Sequence, residues 1–232
     1  MTWKQVFSSS IGRKLTMGLT GIFLITFLIV HMGINACMWA AVYFPDDHGE
    51  MFNKAANFMG SMVLIRIIEI GLFLFIFLHI IQGYMLTVYN RGKRAVGYAV
   101  DYGSKGSKWY SRSMGLLGTL ILLFLIIHWL HFWIPSRFTG IEEVEYNGVK
   151  MHNMFALMQT TFQQLWVVIL YVLGCISLGY HLAHGFQSAF KTLGVHNKRY
   201  QIMLSGLGYG FSIVVPFVFA MMPITMYLGW VK

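Results

Sequence analysis

Five long stretches without a charged side chain are the feature that most constrains the fold of this chain. They cover residues 15–45, 70–90, 113–136, 151–190 and 201–231. Each reaches the roughly 20 residues that an α-helix needs to cross the hydrocarbon layer of a membrane. The first third of the fourth stretch is rich in Asn, Gln and Thr, so this stretch predicts one transmembrane helix. With 57% hydrophobic and 11% charged residues, the chain is too apolar for an ordinary soluble domain.

The sequence therefore predicts an all-α membrane protein with a single domain over residues 1–232. The five transmembrane helices are predicted at about residues 14–41, 61–90, 113–134, 165–190 and 202–228. The first four are expected to form an up-down bundle. The fifth contains Pro216 and Pro223 but no histidine, so it is predicted to support the packing of the others.

The formal net charge of +9 is distributed unevenly between the segments that join these helices. With the N-terminus in the cytoplasm, twelve of the 17 Lys and Arg residues fall in cytoplasmic segments, and six of the 8 acidic residues fall in outer ones. Cytoplasmic loops of membrane proteins are enriched in Lys and Arg, so the sequence predicts a cytoplasmic N-terminus and an outer C-terminus. The same distribution explains the positive charge without a nucleic-acid partner. The basic loop at 91–112 and the acidic outer loop at 135–150 are both candidate docking surfaces, and the basic one is on the predicted cytoplasmic side.

Six histidines lie deep within the predicted helices, where an ionisable side chain is costly and indicates a functional site. Their depth follows from the rise of about 1.5 Å per residue, counted from the basic residue at the cytoplasmic end of each helix. His31 and His128 lie 17 and 16 residues from that end, or about 25 Å. His79 and His181 lie 12 and 10 residues from it, or about 15 to 18 Å. These four histidines therefore form two pairs, each at one level of the membrane.

The two pairs favour haem iron over other metals. In an up-down bundle the first and third helices face each other diagonally, as do the second and fourth, so each pair spans the predicted core. Two neutral imidazoles without a carboxylate or thiolate suit haem better than zinc, which usually takes four ligands. The chain has no C-x-x-C-H motif for covalent attachment, so the sequence predicts two bis-histidine haem b groups. His131 and His184 match in depth less well and are predicted to be packed, hydrogen-bonded residues.

Further residues are expected around the haems. Each ligating ring is expected to donate from its second nitrogen to the backbone carbonyl one turn earlier. Those carbonyls belong to Phe27, Phe75, Phe124 and Ser177. Lys191 and Arg13 are candidates for binding haem propionates, or else they mark the cytoplasmic side. Glycines near the histidines either give clearance for a haem or allow close helix packing: Gly18, Gly21, Gly83, Gly115, Gly118 and Gly185.

Arg66 and Glu69 are candidates for a quinone site. They lie three residues apart near the outer end of the second predicted helix, on the side where the outer haem is expected. A quinone needs an apolar slot with a proton donor and acceptor for its carbonyl oxygens, and these two side chains can serve in that role. The alternative is a salt-bridged pair at the membrane interface.

At these residues the chain resembles the single-chain, five-helix, di-haem cytochrome b subunits of bacterial succinate dehydrogenases and fumarate reductases. The stretches that carry the resemblance are SSSIGRK at 8–14, FLIVHMGIN at 27–35, LHIIQG at 78–83, FLIIH at 124–128 with Phe132-Trp133 after it, and YHLAHGFQS at 180–188. The resemblance covers nearly the whole chain. It implies that His31 and His128 bind the distal haem and that His79 and His181 bind the proximal one.

The resemblance also implies a complex in the bacterial cytoplasmic membrane. A flavoprotein subunit carrying FAD interconverts succinate and fumarate, and an iron–sulfur subunit on the cytoplasmic face connects it to this chain. The chain passes electrons on to a quinone, commonly menaquinone in the di-haem members. Some members use a glutamate two residues before the ligand on the fourth helix for proton return. Gly179 stands at that position, so the resemblance does not carry that proton path to this chain.

Two other functions remain open at this point. A cytochrome b subunit that anchors another quinone-linked enzyme, such as a hydrogenase or a formate dehydrogenase, has the same ligand chemistry. A five-helix transporter whose histidines relay protons belongs to a different class and binds no haem. Haem content separates the transporter from both cytochromes.

Overall fold

The protein is described here by a computed structural model that covers residues 9–44, 46–92, 108–195 and 197–231. These residues are mostly helical. Five of the described helices are long and apolar enough to cross a membrane, as in a multi-pass membrane protein, so the predicted number is confirmed. Most of the basic loop that we predicted as a docking surface, residues 93–107, lies outside the described residues.

The long helices begin and end close to the predicted positions. In chain order they are α1 (Ser10–Ala36), α4 (Val63–Gly92), α6 (Met114–His128), α8 (Leu165–Thr192) and α9 (Lys198–Tyr227). α1 continues into a 3₁₀ turn at Cys37–Trp39 and the short helix α2 at Ala40–Tyr43. α1 and α9 each begin four residues earlier than predicted. At α9 the added turn contains Lys198 and Arg199, which are good helix formers. At α1 the Ser9 hydroxyl accepts the backbone N–H of Gly12 at 3.0 Å and so caps the longer helix.

The third long helix changes its pitch directly after His128. α6 ends there, and the chain continues through π-helical turns at Trp129–Trp133 and Pro135–Thr139. The sequence predicted an end at Ile134, so the helical path is five residues longer than expected. Such turns are rare and occur often at functional sites.

Smaller elements lie between the long helices. Helix α3 (Glu50–Ser61) precedes α4, and a single turn, α5 (Trp109–Arg112), precedes α6. An antiparallel hairpin of β1 (Glu143–Tyr146) and β2 (Val149–His152) leads into helix α7 (Met154–Phe162). The hairpin turn is Asn147-Gly148, and both residues have positive φ angles, as the two-residue turn that matches strand twist requires.

Asn53 ties α3 to the hairpin and to α7. It is fully buried, and its amide nitrogen donates to the Tyr146 hydroxyl and to Asn153 Oδ1, at 3.1 Å each. Its amide oxygen accepts the backbone N–H of Phe155 at 2.9 Å. Gly49, just before α3, has φ of 83°, and a Cβ there would overlap the Phe155 ring. A glycine is therefore required where α3 packs on this ring.

The chain divides into two compact units. The first unit comprises the described parts of residues 1–27, 71–120 and 177–213. Its helices approach each other closely at two glycines: a Cβ on Gly18 would lie 3.4 Å from the Ala189 carbonyl, and one on Gly115 would lie 3.0 Å from Thr87 Cγ2. These glycines serve helix packing, one of the two roles considered for them.

The second unit comprises residues 28–70, 121–176 and the described part of 214–232. Its apolar core is built mainly from methionine and aromatic side chains. The core members are Met38, Phe52, Phe155, Met158, Phe162, Val167, Val168, Tyr171, Met222, Met226 and Val231. Pro216 and Pro223 are both buried inside α9, which extends through this part of the chain.

Candidate functional site

His79 and His181 come together in the first unit, and we call them the first pair. His79 lies on α4 and His181 lies on α8. Their ring centres are 6.1 Å apart, and the ring planes are inclined at 65°. The two rings thus face each other across the unit, in the pairing that depth alone had indicated.

His31 and His128 come together in the second unit, and we call them the second pair. His31 lies on α1, and His128 is the last residue of α6. Their ring centres are 5.8 Å apart, and the ring planes are inclined at 86°. Aromatic rings surround the pair: Phe219 lies 5.6 Å from His31, and the rings of Phe124, Phe132 and Tyr171 lie 5.4 to 6.0 Å from His128.

The spacing within each pair fits two imidazoles on opposite sides of one metal ion. A metal–imidazole bond is about 2 Å long, and a ring nitrogen lies about 1.1 Å from its ring centre, so the two ring centres should be about 6 Å apart. Both pairs match this value. Within the part of the chain that the structure describes, no group of three or more His, Cys, Asp or Glu side chains is placed to bind a metal. Each pair therefore offers two ligands only, which suits haem, whose macrocycle supplies the remaining ones.

Room for the haem macrocycle near the glycines that we considered is the second test of whether the pairs suit haem. A Cβ added to Gly118 or Gly185 would meet no atom within 4 Å, and one added to Gly21 would meet only the His79 ring, at 3.7 Å. Gly83 lies against Met17. The glycines that we considered thus have different surroundings, and Gly118 and Gly185 border open space as clearance for a macrocycle requires.

The second nitrogens of the four rings do not all have the partners that we predicted. Nδ1 of His79 lies 3.0 Å from Oγ1 of Thr20, on α1. Nδ1 of His31 lies 3.3 Å from the side-chain amide of Asn35, one turn later in the same helix.

The predicted bonds to the carbonyls of Phe124 and Ser177 are absent. Nδ1 of His128 and Nδ1 of His181 are buried and have no hydrogen-bond partner. In a helix these carbonyls already accept the backbone N–H of the histidine itself. A ring directed towards the opposite histidine does not turn back to reach them.

The two remaining membrane histidines have hydroxyl partners. Nδ1 of His131 lies 3.0 Å from the buried Tyr171 hydroxyl, and Nδ1 of His184 lies 2.8 Å from Ser111 Oγ. These are the contacts of packed, hydrogen-bonded histidines. Neither residue is brought opposite another histidine in the way that the two pairs are.

The two propionate candidates differ in their surroundings. Arg13 is half-buried, its Nε atom has no hydrogen-bond partner, and its guanidinium lies 5.8 Å from the centre of the Tyr89 ring. Lys191 is exposed near the end of α8. A buried donor without an acceptor favours an anion at Arg13. Gln82, which we did not predict, is 5% exposed, and its Oε1 atom also has no partner.

Arg66 and Glu69 lie together, but they belong to a larger cluster in the second unit. Arg66 Nη1 is 3.3 Å from Glu69 Oε2, and Arg137 Nη2 is 3.1 Å from the same oxygen. The other oxygen, Oε1, accepts from Trp133 Nε1 at 2.7 Å and from Arg137 Nε at 3.3 Å. The sequence analysis missed Trp133 and Arg137 as partners of Glu69, because they lie 64 and 68 residues from it in the chain and share no motif with it. The contact between Arg66 and Glu69 is the salt bridge that the sequence analysis gave as the alternative to a quinone site. About half of the Arg66 side chain is nevertheless exposed.

The lysine at the edge of the first unit is also part of a polar cluster. Lys108 donates to the Tyr209 hydroxyl at 2.6 Å, and Tyr110 lies 3.3 Å from the same oxygen. The bond to Tyr209 raises the pKa of Lys108 above its ordinary value, so this exposed side chain stays positively charged.

The described residues thus provide two places, one in each unit, where two imidazoles can ligate a metal centre. Comparisons of the chain with protein-family models, with curated proteins and with solved structures found no match. The resemblance to cytochrome b subunits of succinate dehydrogenases and fumarate reductases therefore stays a prediction that rests on the motifs quoted above.

Proposed function

We propose that this chain is the di-haem cytochrome b subunit that anchors a succinate:quinone oxidoreductase in the bacterial cytoplasmic membrane. The observation that carries the proposal is the presence of two histidine pairs, with ring centres 6.1 and 5.8 Å apart, on helices able to cross a membrane. The chain would pass electrons between an iron–sulfur subunit and quinone. Succinate or fumarate would react on a partner flavoprotein that carries FAD.

In this proposal each pair holds one haem b, and the first four long helices form an up-down bundle around the two. Haem supplies reversible one-electron chemistry at its iron when it is bound. His79 and His181 ligate one iron, and His31 and His128 ligate the other. The apolar helices exclude water and lipid headgroups from these rings, and Arg13 offers its unpartnered donor to a propionate.

The distribution of charge supports a cytoplasmic side at the first unit. The described residues of this unit contain no Asp or Glu, and its exposed charged side chains are all basic. They are Lys14, Lys108, Arg112, Lys191, Lys198 and Arg199. Such a surface agrees with a cytoplasmic N-terminus and would attract an acidic face of the iron–sulfur subunit.

The Glu69 cluster is the proposed place for quinone chemistry. Its carboxylate oxygens accept from Trp133, Arg137 and Arg66, so Glu69 mainly orients these donors. Arg66 is exposed over 47% of its side chain and keeps N–H groups for a quinone carbonyl. Menaquinone is the expected substrate.

The first experiment measures haem in the purified protein and in its complex. A pyridine haemochrome assay should give two haem b per chain, and succinate should reduce them in the complex. A protein without haem b would exclude both cytochrome functions and favour the transporter. Two haems that succinate leaves oxidised would instead favour the anchor of a hydrogenase or formate dehydrogenase.

A second experiment tests the quinone role. Glu69→Gln and Arg66→Gln should keep both haems and their reduction by succinate, but should lower reduction of a soluble menaquinone analogue by about 100-fold, as for loss of one oriented hydrogen-bond donor. Glu50→Gln is the matched control, because Glu50 forms an exposed ion pair with Lys54 in the same unit. Normal quinone reduction in both Glu69 and Arg66 variants would leave the cluster with a structural role only.

A further inference from the structure

The hydrogen bond between Thr20 and His79 carries an inference about how the first pair is built. Thr20 lies on α1 and is only 1% exposed, and its Oγ1 atom is 3.0 Å from Nδ1 of His79 on α4. This contact was not predicted, since the two residues are 59 positions apart in the chain. A buried hydroxyl beside a candidate ligand is positioned to act on that ligand.

The other contacts of Thr20 determine the direction of this bond. Its Oγ1 atom is 2.8 Å from the Thr16 carbonyl and 3.3 Å from the Met17 carbonyl, and a carbonyl oxygen can only accept. The single hydroxyl hydrogen points to Thr16, where the distance is shortest. The Thr20 oxygen then accepts a hydrogen from Nδ1 of His79. This assigns the proton of the neutral ring to Nδ1 and leaves the lone pair on Nε2.

We infer that Thr20 is a positioning residue for the haem of the first pair: its hydroxyl holds Nδ1–H of His79 and leaves Nε2 to ligate iron. The inference rests on the proposed function. It also makes the two rings of the pair unequal, because Nδ1 of His181 is buried without a partner. His79 is the ring with a fixed tautomer and orientation, and His181 completes the site from α8.

The bond has a chemical consequence beyond orientation. The chain from Nδ1–H of His79 through the Thr20 hydroxyl to the Thr16 carbonyl polarises each of its members. An imidazole that donates such a bond is a more basic ligand. A more basic ligand stabilises the oxidised iron, so Thr20 should lower the midpoint potential of the first-pair haem.

The test compares Thr20→Val, Thr20→Ser and Thr26→Val in the full complex. Valine keeps the shape of threonine without its hydroxyl, and serine keeps the hydroxyl. Thr26 is the matched control, because it lies on the same helix and is exposed, and it bonds only to the Ile22 carbonyl among the described contacts. The readouts are the midpoint potential and the low-spin electron paramagnetic resonance signal of each haem. The His181→Ala variant identifies which signal belongs to the first pair.

We expect Thr20→Val to raise the potential of the first-pair haem by about 59 mV, a tenfold shift in its one-electron equilibrium. The signal of the second-pair haem should not move, and Thr20→Ser and Thr26→Val should match the wild type. Unchanged potentials and signals in Thr20→Val, with two haems in the wild type, would overturn the inference and leave the proposed function standing. A wild type without haem b would overturn both.

Folding of the valine variant does not decide the test. If Thr20→Val yields no folded protein, Thr20→Ala and Thr20→Ser take its place. A shift of the first-pair midpoint potential in Thr20→Ala but not in Thr20→Ser supports the role of the hydroxyl. Equal shifts in both variants would assign the effect to packing and overturn the inference.

Discussion

The two histidine pairs offer the same ligands in different surroundings. The Thr20 hydroxyl contacts the first pair at His79, and the same unit holds two further unpartnered polar atoms, Nε of Arg13 and Oε1 of Gln82. Around the second pair lie aromatic rings, with three close to His128 and one close to His31. Identical ligands do not make identical sites, because neighbouring side chains tune a metal centre as much as its ligands do.

The two units also differ in the charge of their exposed side chains. Exposed charged side chains in the described first unit are basic, whereas the second unit carries the acids of the hairpin and of α3. Positive charge favours the reduced form of a haem iron, and negative charge favours the oxidised form. We therefore expect the haem of the first pair to have the higher midpoint potential of the two.

Removal of one ligand should have the largest effect. His79→Ala or His181→Ala should abolish the low-spin signal of one haem, and His31→Ala or His128→Ala should abolish that of the other. In each variant the haem content, measured by haemochrome assay and iron content, should fall from two haems per chain towards one. His131→Ala and His184→Ala are the controls and should keep both haems. Two intact low-spin haems in any ligand variant would contradict the assignment of that histidine.

Filling the open space at two glycines of the first unit should have the next largest effect. Gly118→Leu and Gly185→Leu place a side chain where a Cβ now meets no atom within 4 Å. If a macrocycle occupies that space, the affinity for the first haem should fall by about 5- to 150-fold, since added bulk in a filled site costs about 1 to 3 kcal/mol. The measurement is haem content together with the first-pair resonance signal.

The control for these variants is Gly210→Leu, on α9. Gly210 also has no atom within 4 Å of an added Cβ, and it is exposed. This variant should retain both haems. Equal haem content in all three leucine variants would mean that the open space at Gly118 and Gly185 faces lipid.

The membrane made much of the fold predictable from the sequence. A bilayer demands about 20 apolar residues per helix, so the uncharged stretches gave five helices. Because each histidine-bearing helix has a basic residue at or near its predicted cytoplasmic end, counting from that residue also gave the depth of each histidine in these helices. His31 with His128, and His79 with His181, follow from that count, and the structure brings the same residues together.

Contacts between side chains of distant helices were not predictable in this way. Thr20 and Arg137 were overlooked because their partners depend on how helices are rotated about their axes, which depth does not reveal. The carbonyl partners at Phe124 and Ser177 were wrong for a different reason: these carbonyls already accept the backbone N–H one helical turn later, and the His128 and His181 rings are directed towards the opposite histidines. The hairpin did have a local indication, the Asn147-Gly148 dipeptide, within a segment that we had treated only as an acidic loop.

Loss of the Asn53 amide should destabilise the second unit more than the first. Asn53→Ala removes three hydrogen bonds and leaves the buried N–H of Phe155 without an acceptor, at a cost of about 3 kcal/mol. On heating in detergent, the haem of the second pair should be lost at a lower temperature than in the wild type. Asn57→Ala, at an exposed position on the same helix, should behave as the wild type. Simultaneous loss of both haems would show that the units do not unfold separately.

The smallest expected effect tests the role of charge. Lys191→Gln removes an exposed positive charge from the first unit and should lower the potential of the first-pair haem. The free-energy change should stay below about 1 kcal/mol and shrink at high salt, because solvent and ions screen exposed charges. Lys150→Gln, an exposed lysine on β2 in the second unit, should leave that potential unchanged. If redox titration at low salt shows no shift for Lys191→Gln, this lysine marks the cytoplasmic side only, and the higher potential of the first haem must come from less exposed groups such as the half-buried Arg13.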